Sequence, residues 1–206
     1  MIDNGLVVRR KNFKTQSIIG TPEITINYLQ RWKIDEIFFI NVGEKNDISE
    51  ILKLASKKCF IPITVGGNIS SLEDVNTHFL SGADKVVIGK YASKDLLTSI
   101  SDKYGNQSIC LSVDKDHYNI PNWPCGEIIL HDTSRDGMGK GLNIDILKQR
   151  TEKPIIAMGG VGNFEHIVEG LVYADAVAVG NLFHFKEISA IQAKKKCIEN
   201  GQEVRI

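Results

Sequence analysis

Residues 61–89 read IPITVGGNISSLEDVNTHFLSGADKVVIG, and residues 153–180 read KPIIAMGGVGNFEHIVEGLVYADAVAVG. Each stretch has a Pro-led apolar run, a Gly-Gly pair, an amphipathic segment, a small residue followed by Asp, and a second apolar run ending in Gly. Gly66-Gly67 recurs at Gly159-Gly160, Ala83-Asp84 at Ala174-Asp175 and Gly89 at Gly180, at offsets of 93, 91 and 91 residues. A short apolar run, a stretch of helical period and another short run make one βαβ unit. Two such units nearly half a chain apart predict an α/β fold, a TIM-type (βα)8 barrel with a twofold internal repeat. Glycines just after strands let backbone N–H groups approach an anion. Two equivalent cradles at one barrel mouth predict a small substrate with a phosphate at each end.

The bulk properties fit one domain spanning residues 1–206. The hydrophobic fraction of 42% is ample for a single core, although a barrel typically takes about 250 residues. Lys+Arg and Asp+Glu balance at 25 each, which leaves no basic field for a nucleic-acid partner. No apolar run approaches the roughly 20 residues of a membrane span. The cysteines, Cys59, Cys110, Cys125 and Cys197, are scattered without metal-ligand spacing. Free thiols in a reducing cytoplasm are expected, with no metal and no cofactor.

Eight candidate strands follow: Leu6–Val8, Glu36–Ile40, Pro62–Val65, Lys85–Ile88, Ile109–Val113, Glu127–Leu130, Pro154–Ala157 and Ala176–Val179. Helical patterns lie at about residues 22–32, 47–57, 71–81, 93–104, 143–150, 163–172 and 186–199, several behind start signals such as Thr21-Pro22 and Ser70-Ser71. Between Asp114 and Glu127 there are two prolines and no helical period, so the helix after the fifth strand is expected to be missing. The first strand is expected to be short.

Active sites of such barrels lie where the strands end. That rim carries Asn41, Gly66-Gly67-Asn68, Gly89-Lys90, Asp114, His131-Asp132, Met158-Gly159-Gly160 and Gly180-Asn181. A carboxylate closing the strand Ser112-Val113-Asp114 points at the mouth, where it serves as a general acid or base, or else merely caps a turn. His131 is an acid–base candidate by type. The matched glycines favour phosphate binding over turn geometry alone. At the other rim, strands two, four and six open with charge. Alternate strands contribute to one interior layer, so Glu36, Lys85 and Glu127 form an ionisable ring across the bottom. Buried charges are costly unless paired, and the ring reads either as a salt-bridged plug or as a polar gate for a small molecule.

Taken together, DNGLVVRRKNF, GTPEI, IDEIFFINV, IPITVGGNI, GADKVVIGKYA, SRDGMGKG, PIIAMGGVGNFEHIVEG and NLFHFKEI resemble the cyclase subunit of imidazole glycerol phosphate synthase, a family of histidine biosynthesis. The resemblance runs over essentially the whole chain. It implies a barrel that pairs with a glutaminase subunit, whose ammonia crosses the barrel axis. At the mouth the ammonia enters a bis-phosphorylated phosphoribosyl-carboxamide intermediate, giving imidazole glycerol phosphate and an aminoimidazole-carboxamide ribotide. It implies an ammonia gate at Glu36, Lys85 and Glu127, and a partner-contacting carboxylate at Asp84. The catalytic residue it carries over is Asp114. Asp136, Gly137, Gly67, Asn68, Gly89, Lys90, Gly159, Gly160, Gly180 and Asn181 fall on its phosphate-site positions.

The chain also departs from the family pattern. The family uses a second aspartate, on strand one, and an ungapped match anchored at Gly5 places it at Met1. Asp3 lies two residues along on the same strand face. Asn41 stands for a family Asp, Asn68 for a third Gly, Met158 and Asn181 for serines. These changes leave room for a paralogue that serves a glutamine-dependent amidation of surface-polysaccharide sugars, or for a docking subunit without catalysis.

Overall fold

A computed structural model of the protein describes residues 1–11, 14–43, 48–114, 122–149 and 151–205. The chain opens with three antiparallel strands, β1 (Ile2–Asp3), β2 (Leu6–Lys11) and β3 (Lys14–Gly20), in the order β1-β2-β3. Asn4 and Gly5, both at positive φ (48° and 77°), make the two-residue turn between β1 and β2. Asn-Gly is the residue pair such a hairpin turn prefers. Leu6–Val8 therefore is not a strand of the barrel. It pairs back on β1, with Val7 opposite Ile2, and forward on β3.

Seven parallel strands follow in sequential order: β4 (Ile37–Ile40), β5 (Ile63–Gly66), β6 (Lys85–Ile88), β7 (Ile109–Asp114), β8 (Glu127–His131), β9 (Ile155–Met158) and β10 (Ala176–Ala178). Each joins its successor through a crossover, as parallel strands require. The first barrel position falls to β1, which meets β4 at one parallel bridge, Ile2 to Asn41, with Val42 N–H donating to Ile2 O at 2.9 Å. Among the described residues β10 pairs with β9 alone, and Ala176 is exposed at that edge. The fold is thus an α/β, TIM-type barrel, shortened and open along a seam between β10 and β1.

Eight helices lie among the described residues: α1 (Pro22–Arg31), α2 (Ser49–Lys58), α3 (Leu72–Leu80), α4 (Lys94–Tyr104), α5 (Ile144–Leu147), α6 (Phe164–Gly170), α7 (Asn181–Phe185) and α8 (Ser189–Glu199). Four of the starts follow side-chain chemistry. Ser71 and Asp74 form a reciprocal capping box on α3, and Thr21, Ser93 and Asn163 accept from the first turns of α1, α4 and α6. The sequence pattern over 186–199 divides differently: Asn181–Phe185 forms its own helix, and α8 starts only at Ser189. Residues 115–121, within the stretch expected to lack a helix, lie outside the described residues; 122–126 carry none.

Strand alternation sorts the core into layers. Ile63 and Val65, Val86 and Ile88, Ile109 and Leu111, and Ile128 and Leu130 face the helices. A full burial of each is worth about 1.5–3 kcal/mol. The intervening residues fill the barrel, where Val87, Cys110, Ile129 and Ile156 pack with Phe38, Ile40, Met158 and Ala178.

The repeat is visible in the hydrogen bonds. Ile63 N–H donates to Asp84 Oδ2 at 2.8 Å while Asp84 N–H donates to Ile63 O; Ile155 and Asp175 make the same pair, the first bond again at 2.8 Å. Gly43 N–H donates to Asn41 Oδ1 at 3.1 Å, and Ser134 N–H to Asp132 Oδ1 at 3.0 Å. The equivalence corrects the sequence register by one residue. Gly67-Asn68 (φ 92° and 57°), not Gly66-Gly67, matches Gly159-Gly160 (φ 103° and 93°), at an offset of 92. Both first glycines pass a carbonyl closely: a Cβ on Gly67 would lie 1.9 Å from Asn41 O, and one on Gly159 2.6 Å from Asp132 O.

Candidate functional site

At the mouth, Asp114, His131 and Met158 are register neighbours at the ends of β7, β8 and β9. Alternation puts Asp114 on the face of Cys110 and Ser112, toward the barrel interior. Asp114 Oδ1 and His131 Nε2 are both buried without a hydrogen-bond partner among the described residues. A buried polar atom left unpaired costs about 1–3 kcal/mol, and such atoms concentrate where a ligand or catalytic role supplies the partner.

The glycine loops divide across this point. Gly67-Asn68 and Gly89-Lys90 follow β5 and β6 on one side of β7; Gly159-Gly160 and Gly180-Asn181 follow β9 and β10 on the other. The second group, with Asp136 and Gly137 from the loop after β8, lines a cavity of about 540 Å³ that runs along the open seam. Gly67, Asn68, Gly89 and Lys90 lie outside it. The Asn68 side chain is committed to the loop before it, donating to Gly43 O at 2.7 Å. Lys90 is exposed, its ammonium 5.2 Å from the centre of the Tyr91 ring.

The loop after β8 is organised by a residue with no assigned role in the sequence reading. Asp132 is 2% exposed and accepts from Ser134 N–H and Oγ–H through Oδ1, and from Asn143 Nδ2 at 2.7 Å through Oδ2. Arg135 Nε stands 3.5 Å from Oδ2, and its Nη1 donates to Leu142 O at 3.0 Å. The signal was Asp-Thr-Ser, an Asx-turn pattern. Burial holds the Asp136 carboxyl above its ordinary pKa, against the opposing pull of His131, the Gly137 N–H, the amino terminus and Arg10.

Asp3, the residue nearest the vacant strand-one position, has other bonds: it accepts from Thr15 Oγ1 at 3.0 Å and from Asn4 Nδ2 at 3.2 Å. Beside the seam, Tyr28 Oη and His184 Nδ1 are 2.6 Å apart. Burial, aided by the amino terminus, pulls the His184 pKa down to about 4.

At the opposite end, Glu36, Lys85 and Glu127 form one network. Lys85 Nζ donates to Glu36 Oε2 at 2.9 Å and to both oxygens of Glu127 at 2.9 Å. Thr64 Oγ1 donates to Glu36 Oε1, and Cys110 Sγ donates to Glu127 Oε2 at 3.1 Å. The three charged side chains are 20–26% exposed. Burial alone would lower the lysine pKa, but the two carboxylates outweigh it and hold the ammonium charged. Burial and the neighbouring Glu127 push the Cys110 thiol up, so it stays protonated. Asp84 sits beside this network on the same rim, spending one oxygen on the β5 amide. No group of three or more His, Cys, Asp or Glu among the described residues is arranged to hold a metal. No described helix is long and apolar enough to cross a membrane.

An α/β barrel with an ionic layer at its base and paired glycine loops around a strand-end aspartate defines a TIM-type barrel protein with its candidate site at the C-terminal rim. The model of a family described as histidine biosynthesis protein matches residues 2–123 and 117–189. The chain belongs to that family. It is 32% identical to the imidazole glycerol phosphate synthase subunit HisF of Chlorobium phaeobacteroides over 241 aligned positions, covering all of this chain and 96% of the relative. The same figures hold for the HisF subunit of Pelodictyon phaeoclathratiforme, and identity is 31% at equal coverage for that of Chlorobaculum tepidum.

Proposed function

We propose that this chain is the cyclase-type subunit of an imidazole glycerol phosphate synthase. It takes ammonia from a glutaminase subunit and converts a bis-phosphorylated phosphoribosyl-carboxamide intermediate to imidazole glycerol phosphate and an aminoimidazole-carboxamide ribotide. The observation that carries this reading is the position of Asp114: an unpaired interior carboxylate oxygen, between two glycine-loop pairs related by the internal repeat. The loops hold the two phosphates through backbone N–H groups, and the span fixes the reacting centre over β7. Asp114 then takes and returns protons as the ring closes.

The bottom network is the entry. Lys85 closes it by bonding both glutamates, and opening requires the ammonium to release one of them. Above it Phe38, Val87, Ile129 and Ile156 form an apolar sleeve that favours neutral ammonia over ammonium. The glutaminase docks on this rim. Phe60, Leu80 and Val172, 92%, 87% and 63% exposed, precede β5, β6 and β10 there, and Asp84 offers its carboxylate beside them. The site lies in a cytoplasmic heterodimer in this reading.

One observation favours a second reading: no carboxylate stands at the strand-one position matched by Met1, and Asp3 is bonded to Thr15. A barrel so altered suits a paralogue that feeds ammonia to a partner amidating a polysaccharide sugar, or one that only docks. Turnover of the bis-phosphorylated intermediate by the purified chain, fed free ammonium at alkaline pH, separates these. Product formation supports the cyclase; none from a folded chain supports the ammonia-delivering or docking subunit.

A further inference from the structure

The interior positions of β10 are small. In the internal repeat Ala176 stands where β6 has Lys85, and Ala178 where it has Val87, each at an offset of 91 residues. The seam cavity of about 540 Å³ lies where these two alanines leave room. β1 meets the β4 side at Asn41 alone, so below that bridge no described strand joins β4 to β10, and both strands line the cavity along their whole length. Val87, Cys110 and Ile129 do not line it. They are buried against one another, so the axis is packed and the free space lies to one side of it.

The cavity runs from rim to rim. Its lower end reaches Asp35, Glu36 and Ala176, and its upper end Met158, Gly159 and Gly180. Met158 is two strands from Asp114 in the register. Between the ends, α8 forms an outer wall through Ala190, Ala193 and Cys197, all buried. An ion pair crosses the lower end, Lys194 Nζ of α8 to Asp35 Oδ1 at 2.7 Å. Within the bottom network Glu36 alone lines the cavity. It is also held by fewer bonds from the lysine: Lys85 Nζ reaches both oxygens of Glu127 but one of Glu36. Breaking the Lys85–Glu36 bond leaves Glu36 on Thr64 and Lys85 on Glu127, and opens the network on the cavity side.

Resting on the cyclase reading above, we infer that ammonia travels through the seam cavity beside the packed axis, and that the Lys85–Glu36 bond is the one that opens to admit it. The apolar walls would strip a cation of its hydration, while neutral ammonia passes at little cost. A molecule leaving the upper end arrives on the β9 and β10 side of Asp114, beside Gly159 and Gly180.

The test is turnover of the reconstituted heterodimer fed with glutamine or with free ammonium, comparing the wild-type chain with Ala178→Phe, with folding checked by circular dichroism. The added ring fills the passage below Gly180. The expected result is a fall of about tenfold in glutamine-fed turnover, with ammonium-fed turnover within about twofold and more ammonia lost to solution. Ala178→Cys carries the test should Ala178→Phe misfold. Benzyl methanethiosulfonate should lower its glutamine-fed turnover alone, relative to the wild-type chain treated alike, and dithiothreitol should restore it. Unchanged glutamine-fed turnover in folded Ala178→Phe or in modified Ala178→Cys would return the ammonia to the axis and overturn the inference. Equal losses from both nitrogen sources would put the block at the mouth and overturn it too. No ammonium-fed turnover by the wild-type chain would instead overturn the cyclase reading itself, and the conduit with it.

Discussion

Glu36 and Glu127 stand at the same position of the internal repeat, 91 residues apart, and both close on one ammonium, Lys85 Nζ, at 2.9 Å. Lys85 has no such twin: its counterpart is Ala176, exposed on the unpaired edge of β10. One half of the repeat thus supplies the cation for both, and the ionic layer is asymmetric where the barrel is open.

Replacing Lys85 with Ala leaves two carboxylates facing each other without a cation. Removing one partner of a fully buried pair costs about 3–5 kcal/mol, and the partial exposure here reduces that to about 1–3 kcal/mol. Glutamine-dependent turnover in the reconstituted heterodimer is expected to fall more than ammonium-fed turnover. Equal losses in both assays would show that the network is only a plug.

Gly67 and Gly159 make a matched pair of substitutions. Each has positive φ and no space for a Cβ beside the facing carbonyl. Ala at either position is expected to cost more than about 2 kcal/mol, measured by urea unfolding. The Gly67→Ala penalty should be the larger, since its Cβ would lie 1.9 Å from Asn41 O against 2.6 Å from Asp132 O for Gly159.

Asp84 and Asp175 cap β5 and β9 with the same bond at 2.8 Å. Asp84→Asn and Asp175→Asn are therefore expected to lose similar stability, about 1 kcal/mol each. Only Asp84→Asn should also weaken the complex with the glutaminase, read by titration calorimetry. Equal weakening by both would remove Asp84 from the interface.

His184 sets an acid limb. Its folded pKa, about 4, lies below the ordinary 6.5, so between these values the unfolded chain binds more protons. The stabilisation is complete above about pH 6.5 and is lost as pH falls through 4. His184→Gln should flatten this limb by about 3 kcal/mol at pH 4. An unchanged pH dependence of unfolding would mean the imidazole is solvated.

The parallel strands were legible because each is a short β-branched run ending in a rim residue, and the repeat places one half on the other. Leu6–Val8 misled because apolar character alone does not distinguish a barrel strand from a hairpin; the Asn4-Gly5 turn carried that information. Glu36, Lys85 and Glu127 were readable as a layer because alternation along strands of fixed order dictates it. The one-residue shift of the glycine match was not, since Asn68 takes the left-handed conformation that the pattern reserves for Gly. The neighbours of Asp136 depend on how the loop after β8 folds over β2 and β9, which no local pattern states.

Ammonium-fed turnover of the bis-phosphorylated intermediate, by the wild-type chain beside Asp114→Asn, tests the central claim most directly. The cyclase account predicts product from the wild-type chain and a loss of at least about 10²-fold in the variant, with both chains folded. Equal activity in the two would place the mouth chemistry elsewhere. No activity in either would contradict the cyclase and leave an ammonia-delivering or docking subunit.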